Sequence, residues 1–292
     1  NMVVHPHGGA SRRPGTEYIG EIQSSAVKGR LIPFQFKTTD TYILEFGNST
    51  MRVIRNGGYV LDTAKNITAA TAASPGVITS NSHGFSNGDE IFISSVGGMT
   101  ELNGRNYRVA GVATNTFTLT DLYGVAIDTT NFTAYTSGGT ADKLTTVASP
   151  YPEAALPDLR FVQSADTMFI VHQDYAPRKL TRTDHDAWSF TEVTFIDGPY
   201  LDLNTTTTTL NPAATSGTGV ALVASTSLFA ATDVGRLVSL PGGNATITAF
   251  TDAQNVTVTI NDTLSATTAT TDWALGAFST TTGFPSAVTF FE

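Results

Sequence analysis

Gly84-Phe85-Ser86-Asn87-Gly88 has the spacing G-x-S-x-G, in which a serine on a strained turn becomes a nucleophile. That chemistry needs a strand before the serine and a helix after it, so that backbone amides can hold an oxyanion. Here Glu90-Ile91-Phe92-Ile93 follows and reads as a strand, so the glycines predict a hairpin turn and no catalytic serine. Asp184-His185-Asp186 offers three metal-ligating or acid–base groups in a row. Neighbours on a strand point to opposite faces, so these three converge only in a bent turn, and a solvated turn is the expectation. His172 closes the apolar run Met168-Phe169-Ile170-Val171 and reads as a core or interface histidine. His5 and His7 flank Pro6, and His83 lies beside the false serine elbow. With no cysteine, the chain has neither a disulfide frame nor a thiolate site. No catalytic, metal or cofactor residue is named, no cofactor or small-molecule substrate is expected, and the protein is read as not an enzyme.

Two basic pairs suggest contact with another macromolecule. In Arg12-Arg13-Pro14-Gly15-Thr16 the Pro-Gly turn displays two guanidinium groups, which suit a carboxylate on a neighbouring chain. Arg178-Lys179 is the second pair. The remaining basic residues are scattered: 16 Lys and Arg stand against 25 Asp and Glu, a net charge of -9. Tight nucleic-acid binding needs a basic stripe, so this balance excludes it, while acidic walls repel a phosphate backbone.

The elements that carry these residues are short strands punctuated by Pro, Asp and Gly, the signature of sandwiches, barrels and propeller blades. Residues 1–64 read as a first β segment, with Asn56-Gly57-Gly58 as a hairpin signal. At Lys65 the composition turns to Thr, Ala and Ser, and a module is expected over 65–143. Residues 144–203 resume the first character, 204–274 form a second Thr-rich module, and 275–292 return once more. The fold class predicted is all-β: a discontinuous host domain with two inserted small β-barrel or sandwich modules. The modules echo each other, Tyr107–Leu119 paralleling Ala245–Val258. Duplication and the commonness of Thr-Val alternation in β proteins both account for that parallel. No run approaches the ~20 apolar residues of a membrane helix.

Gln163-Ser164-Ala165-Asp166-Thr167-Met168-Phe169-Ile170-Val171-His172 is followed by Ala176-Pro177-Arg178-Lys179-Leu180-Thr181-Arg182, Trp188 and Gly198-Pro199. With Gly8–Thr16, Arg30–Phe34, Thr41–Gly47 and Gly276–Phe291, this ordered set resembles the nozzle (tail tubular protein B-like) proteins of short-tailed bacteriophages. The resemblance implies that the host domain is β-propeller-like and that the chain is a virion structural protein of the tail: a homo-hexameric tube below the head-to-tail adaptor, through which genome DNA passes without sequence-specific binding. Arg12, Arg13, Arg178 and Lys179 then become candidates for the subunit or adaptor interface, and the modules become outward contacts for tail fibres or spikes. The abrupt end after Phe291 suggests a fragment. The 65–143 module resembles a small barrel of phage structural proteins that is related to one in ubiquitin-activating enzymes, a likeness of fold only. The alternative is a carbohydrate- or receptor-binding β module of a virion or secreted protein, with Tyr123, Tyr135 and Trp273 as its aromatic faces.

Overall fold

Side-chain alternation builds the first sheet. The computed structural model describes residues 2–12 and 18–290. A hairpin of β1 (Met2–Val4) and β2 (Ala10–Arg12) opens it. In β3 (Arg30–Lys37), Ile32 and Phe34 are buried and their neighbours Leu31, Pro33 and Gln35 are exposed, the period of two of a strand with one wet face. The pattern changes in β4 (Asp40–Gly47) and β5 (Thr50–Arg55), where Leu44–Gly47 and Met51–Ile54 are buried without a break. These stretches are covered on both faces. Asn56 and Gly57 take positive φ, 51° and 80°, and turn the chain into β6 (Gly58–Tyr59).

The chain then builds a first module from β7 (Lys65–Asn66), β8 (Ala69–Ala70), β9 (Val77–Thr79), β10 (Glu90–Ser94), β11 (Arg105–Ala110), β12 (Thr116–Thr120) and β13 (Thr140–Lys143). They form one sheet in the order β7-β13-β10-β11-β12-β9-β8 around Ile78, Ile91, Ile93, Phe117 and Leu119. Afterwards β14 (Thr146–Ala148) pairs with β5, which gives the first sheet the order β14-β5-β4-β3. Meander and module belong to one compact unit, residues 1–156 with Asp184–Ala187.

The second unit holds Pro157–Thr183 and the residues from Trp188 onward. Its meander is β15 (Arg160–Ser164), β16 (Thr167–His172), β17 (Tyr175–Arg182) and β18 (Trp188–Glu192), paired in sequence order. Its module is β19 (Leu210–Pro212), β20 (Gly217–Ala224), β21 (Leu237–Leu240), β22 (Gly243–Phe250), β23 (Asn255–Ile260) and β24 (Ala274–Leu275).

The two modules have one strand order. Setting β7 aside, the first reads β8-β9-β12-β11-β10-β13, and the second reads β19-β20-β23-β22-β21-β24. The register agrees as well. Val109 faces Leu119 where Ile247 faces Val258, and Ile78 faces Phe117 where Leu222 faces Val256. Ile91 faces Tyr107 where Val238 faces Ala245. All twelve of these residues are buried core.

The architecture is all-β; among the described residues the only helices are three short 3-10 segments. The finer expectation, a propeller-like host, is not confirmed. A propeller sets at least four four-stranded blades around a channel. Among the described residues the host segments supply one five-stranded sheet, counting β6, in the first unit and one four-stranded sheet in the second.

Candidate functional site

Three charged residues in apolar runs define the centre of the first unit: Glu45 in β4, Arg52 in β5 and Glu90 in β10. Glu45 lies directly opposite Arg52 in the meander, and Glu90 lies opposite Arg108 in the module. Each sheet therefore contributes one cross-strand acid–base pair. Arg52 joins them. The residue is 1% exposed, with Nε and Nη2 donating to Glu45 Oε1 at 2.9 and 2.6 Å and Nη1 donating to Glu90 Oε2 at 2.5 Å. Nη2 also reaches the Tyr59 hydroxyl at 2.8 Å and the Glu21 carbonyl. Arg108 supports Glu90 at 3.2 Å and donates to the Gln23 carbonyl. Two guanidinium groups against two carboxylates leave the cluster neutral, and the planar fork of Arg52 meets Glu45 through two N–H groups.

Tyr59 carries this cluster to the surface. Its hydroxyl donates to Glu45 Oε2 at 2.7 Å, and its ring lies 4.4 Å from the Arg52 guanidinium. Burial, then the bond to Glu45, pushes its ionisation well above the usual tyrosine range, so it stays a donor. Tyr59 also lines a groove of about 630 Å³. Tyr18 and Tyr123, 75% and 67% exposed, line it too, as do Glu21, Phe92 and Arg105. Tyr123 donates to both Glu21 carboxylate oxygens at 3.2 and 3.1 Å. Its backbone is fixed by Asp121, whose Oδ1 accepts the N–H groups of Tyr123 and Val125 at 2.9 and 2.8 Å. Gly20 lets the 18–21 segment lie against Tyr59, because a Cβ there would sit 2.5 Å from the ring.

The residues singled out by chemistry lie elsewhere. Ser86 is in the turn before β10, where its N–H donates to Asp89 Oδ2 at 2.8 Å. His83 is buried: Nδ1 accepts the Phe85 N–H at 3.0 Å, Nε2 meets the Ala113 carbonyl at 2.9 Å, and the ring packs on Phe85 and Phe117. His185 Nδ1 meets the Tyr42 hydroxyl at 2.5 Å, and its backbone N–H donates to Asp184 Oδ1 at 2.7 Å. Among the described residues no three His, Asp or Glu side chains gather as a metal site. His172 is buried with Nδ1 accepting the Asp174 N–H at 3.0 Å, and His5 meets Ser11 at 3.0 Å.

The basic pairs fall in different units, Arg12 in the first and Arg178 with Lys179 in the second. Arg12 ends β2 opposite Met2, and Arg13 lies outside the described residues. Arg178 is bound across the sheet to Glu192 at 3.1 Å, while the next residue, Lys179, is exposed. Successive strand residues face opposite ways, so this pair shares no face.

Of the three aromatics proposed for sugar faces, only Tyr123 is in the groove. Tyr135 is held by its hydroxyl to the Ile67 and Gly138 carbonyls, and Trp273 is in the second module's core with Nε1 donating to Thr208 O at 2.9 Å. Composition marks aromatics without saying which face they take. The residues that sequence reasoning missed, Glu45, Arg52 and Glu90, carry a signal: a charge inside an apolar strand, of both signs, in adjacent segments.

Residues 74–144 match the family model described as the ubiquitin-activating enzyme E1 FCCH domain. Among curated proteins, none matches this chain. The match falls on the module likened to a barrel of ubiquitin-activating enzymes, and it takes in Glu90, Arg105, Arg108 and Tyr123 of the site. It overturns the tail-nozzle identification: the family that matches is a domain of ubiquitin-activating enzymes and not a phage tail family. The virion structural function falls with it. The motifs that carried the nozzle resemblance are short strands and turns, which any meander of this composition repeats. The class defined here is thus an all-β protein that carries an FCCH-like module.

Proposed function

We propose that this chain is a binding protein without catalytic activity, and that its first unit takes an extended polypeptide segment in the groove between Tyr18 and Tyr123. The observation that carries the reading is two large aromatic side chains left exposed in one groove that is also lined by the braced Tyr59. Tyrosine supplies wide amphipathic contact at little entropic cost, which is why it is enriched at recognition surfaces. Glu21, Asp121 and exposed Arg105 all line the groove and suit a chain that carries both a basic and an acidic or polar residue. Glycines at 20, 57, 58 and 104 line the same groove and let a backbone approach closely. The matched family's name places its domain in an enzyme acting on ubiquitin, which accords with a polypeptide ligand.

The test is selection of twelve-residue peptides from a randomised display library on the full chain, followed by titration of the selected peptides. Tyr18→Ala and Tyr123→Ala each weaken binding about tenfold, the size of a central aromatic contact. A library that yields no peptide, or peptides bound equally by the double variant, refutes the proposal.

A further inference from the structure

The two modules share a rung on which their side chains differ. In the first, Glu90 and Arg108 pair across β10 and β11, and Arg52 of the adjoining sheet fills the corner they form. In the second, the register puts Leu237 and Thr246 on that rung. A cavity of about 290 Å³ occupies the corner instead, wholly within the second unit. Phe195 and Phe278 form an aromatic wall, with ring centroids 5.2 Å apart, and Arg236 lines the cavity beside Leu237.

Arg236 is 7% exposed. Its Nε donates to the Gly276 carbonyl at 2.6 Å and its Nη1 to Asp233 Oδ1 at 2.9 Å. A guanidinium has five N–H donors. Among the described residues Nη2 makes no hydrogen bond, and it is not one of the wholly buried atoms left without a partner, so it keeps contact with solvent. A guanidinium donor open to solvent beside a cavity can exchange water for a ligand's acceptor. The one carboxylate at the rim, Glu192, is occupied by Arg178 at 3.1 Å.

We propose that this cavity binds a small aromatic carboxylate, its ring against Phe195 and Phe278 and its carboxylate on Arg236. The volume lies at the lower end for ligand pockets, about 300–1,000 Å³, and admits one ring with a short substituent. Asp233 already balances the Arg236 charge, so the carboxylate contributes directional hydrogen bonds more than net attraction, and affinity is modest. The site is independent of the groove in the first unit.

The test is a ¹H–¹⁵N NMR titration of the full chain with benzoate, benzyl alcohol and benzylamine. Benzoate is expected to shift amides of residues 194–196, 235–237 and 276–280, and to bind at least tenfold more tightly than the alcohol. Arg236→Gln removes that preference, and Thr246→Trp, which fills the cavity from the opposite wall, abolishes binding. The second variant decides the matter if the first does not fold. Equal binding of benzoate and benzyl alcohol, tighter binding of benzylamine, shifts confined to other residues, or binding that survives Thr246→Trp each overturns the proposal.

Discussion

Replacing Arg52 by methionine keeps most of the side chain's length and removes its charge. Glu45 and Glu90, 7% and 6% exposed, then lose their shared partner. Breaking a buried ion pair from one side costs about 3–5 kcal/mol, because the stranded carboxylate cannot recover its hydration. Each carboxylate keeps one donor here: the Tyr59 hydroxyl for Glu45, and Arg108 for Glu90. The lower end of the range, about 3 kcal/mol, is therefore expected. With a urea m-value near 2 kcal/mol/M this moves the midpoint by about 1.5 M.

The chain provides its own control. Both tryptophans, Trp188 and Trp273, are in the second unit, so tryptophan fluorescence follows that unit, while far-UV circular dichroism follows both. Arg52→Met should bring forward one dichroism transition and leave the fluorescence transition in place. Adding Glu45→Gln should restore about 1 kcal/mol or more, because one stranded charge is gone. A midpoint change under about 0.5 M, or an equal displacement of both transitions, would refute the assignment of Arg52 as the tie between meander and module.

Two further outcomes follow from local geometry. Hydrogen bonds from Arg55 and then Lys37 hold the Asp40 carboxyl down to about 2. A depressed carboxylate stabilises the fold above the ordinary aspartate range, and that contribution disappears as pH falls toward 2. A carbon-detected NMR titration should show the low midpoint, and Arg55→Gln should raise it; an Asp40 midpoint near 4 in the parent would be contrary. Gly98 and Gly104 both take positive φ, +80° and +73°, but a Cβ at Gly98 runs into the Ala134 carbonyl while one at Gly104 meets open space. Gly104→Ala should cost only the backbone term, about 1–2 kcal/mol, and Gly98→Ala clearly more; equal losses in thermal melts would contradict the close approach.

Strands were legible wherever one face is wet. Ile32 and Phe34 alternate with exposed neighbours, and that pattern survives without knowledge of any partner. The parallel between the modules was visible over one hairpin, because β11–β12 and β22–β23 keep the same spacing of inward residues. The remaining four strands share order and register while differing in loop length. The connection from β10 to β11 holds a 3-10 turn, whereas β21 meets β22 after Pro241-Gly242, and sequence comparison loses its thread across that difference. Arg52 shows the other limit. The hairpin turn at Asn48-Ser49 sets Gly47 opposite Thr50, and counting back two rungs sets Glu45 opposite Arg52. That pair is local. Its junction with Glu90 is not, since it spans 38 residues and depends on how two sheets meet. The groove inherits the same difficulty: Tyr123 is tied to Glu21, which is 102 residues away in the chain.

Each module hangs from a pair of antiparallel stems, and the stems explain why the same corner matters twice. At the first, Leu61 bridges Leu144 and Asp62 donates to the Lys143 carbonyl at 2.7 Å. At the second, Tyr200 bridges Gly276 and Leu201 donates to the Leu275 carbonyl at 2.8 Å. Ends held side by side let a module join a sheet for little more than loop-closure entropy, which rises slowly with length. The next rung is also shared: Leu144 N–H donates to the Glu90 carbonyl at 2.9 Å, and Gly276 N–H donates to the Leu237 carbonyl at 2.7 Å. The residue that receives the outgoing stem is thus the residue that faces the corner in both modules. Backbone geometry is held constant there, and the side chain alone decides the outcome. Glu90 with Arg108 draws in a guanidinium from the neighbouring sheet, whereas Leu237 with Thr246 offers no such charge and a cavity remains.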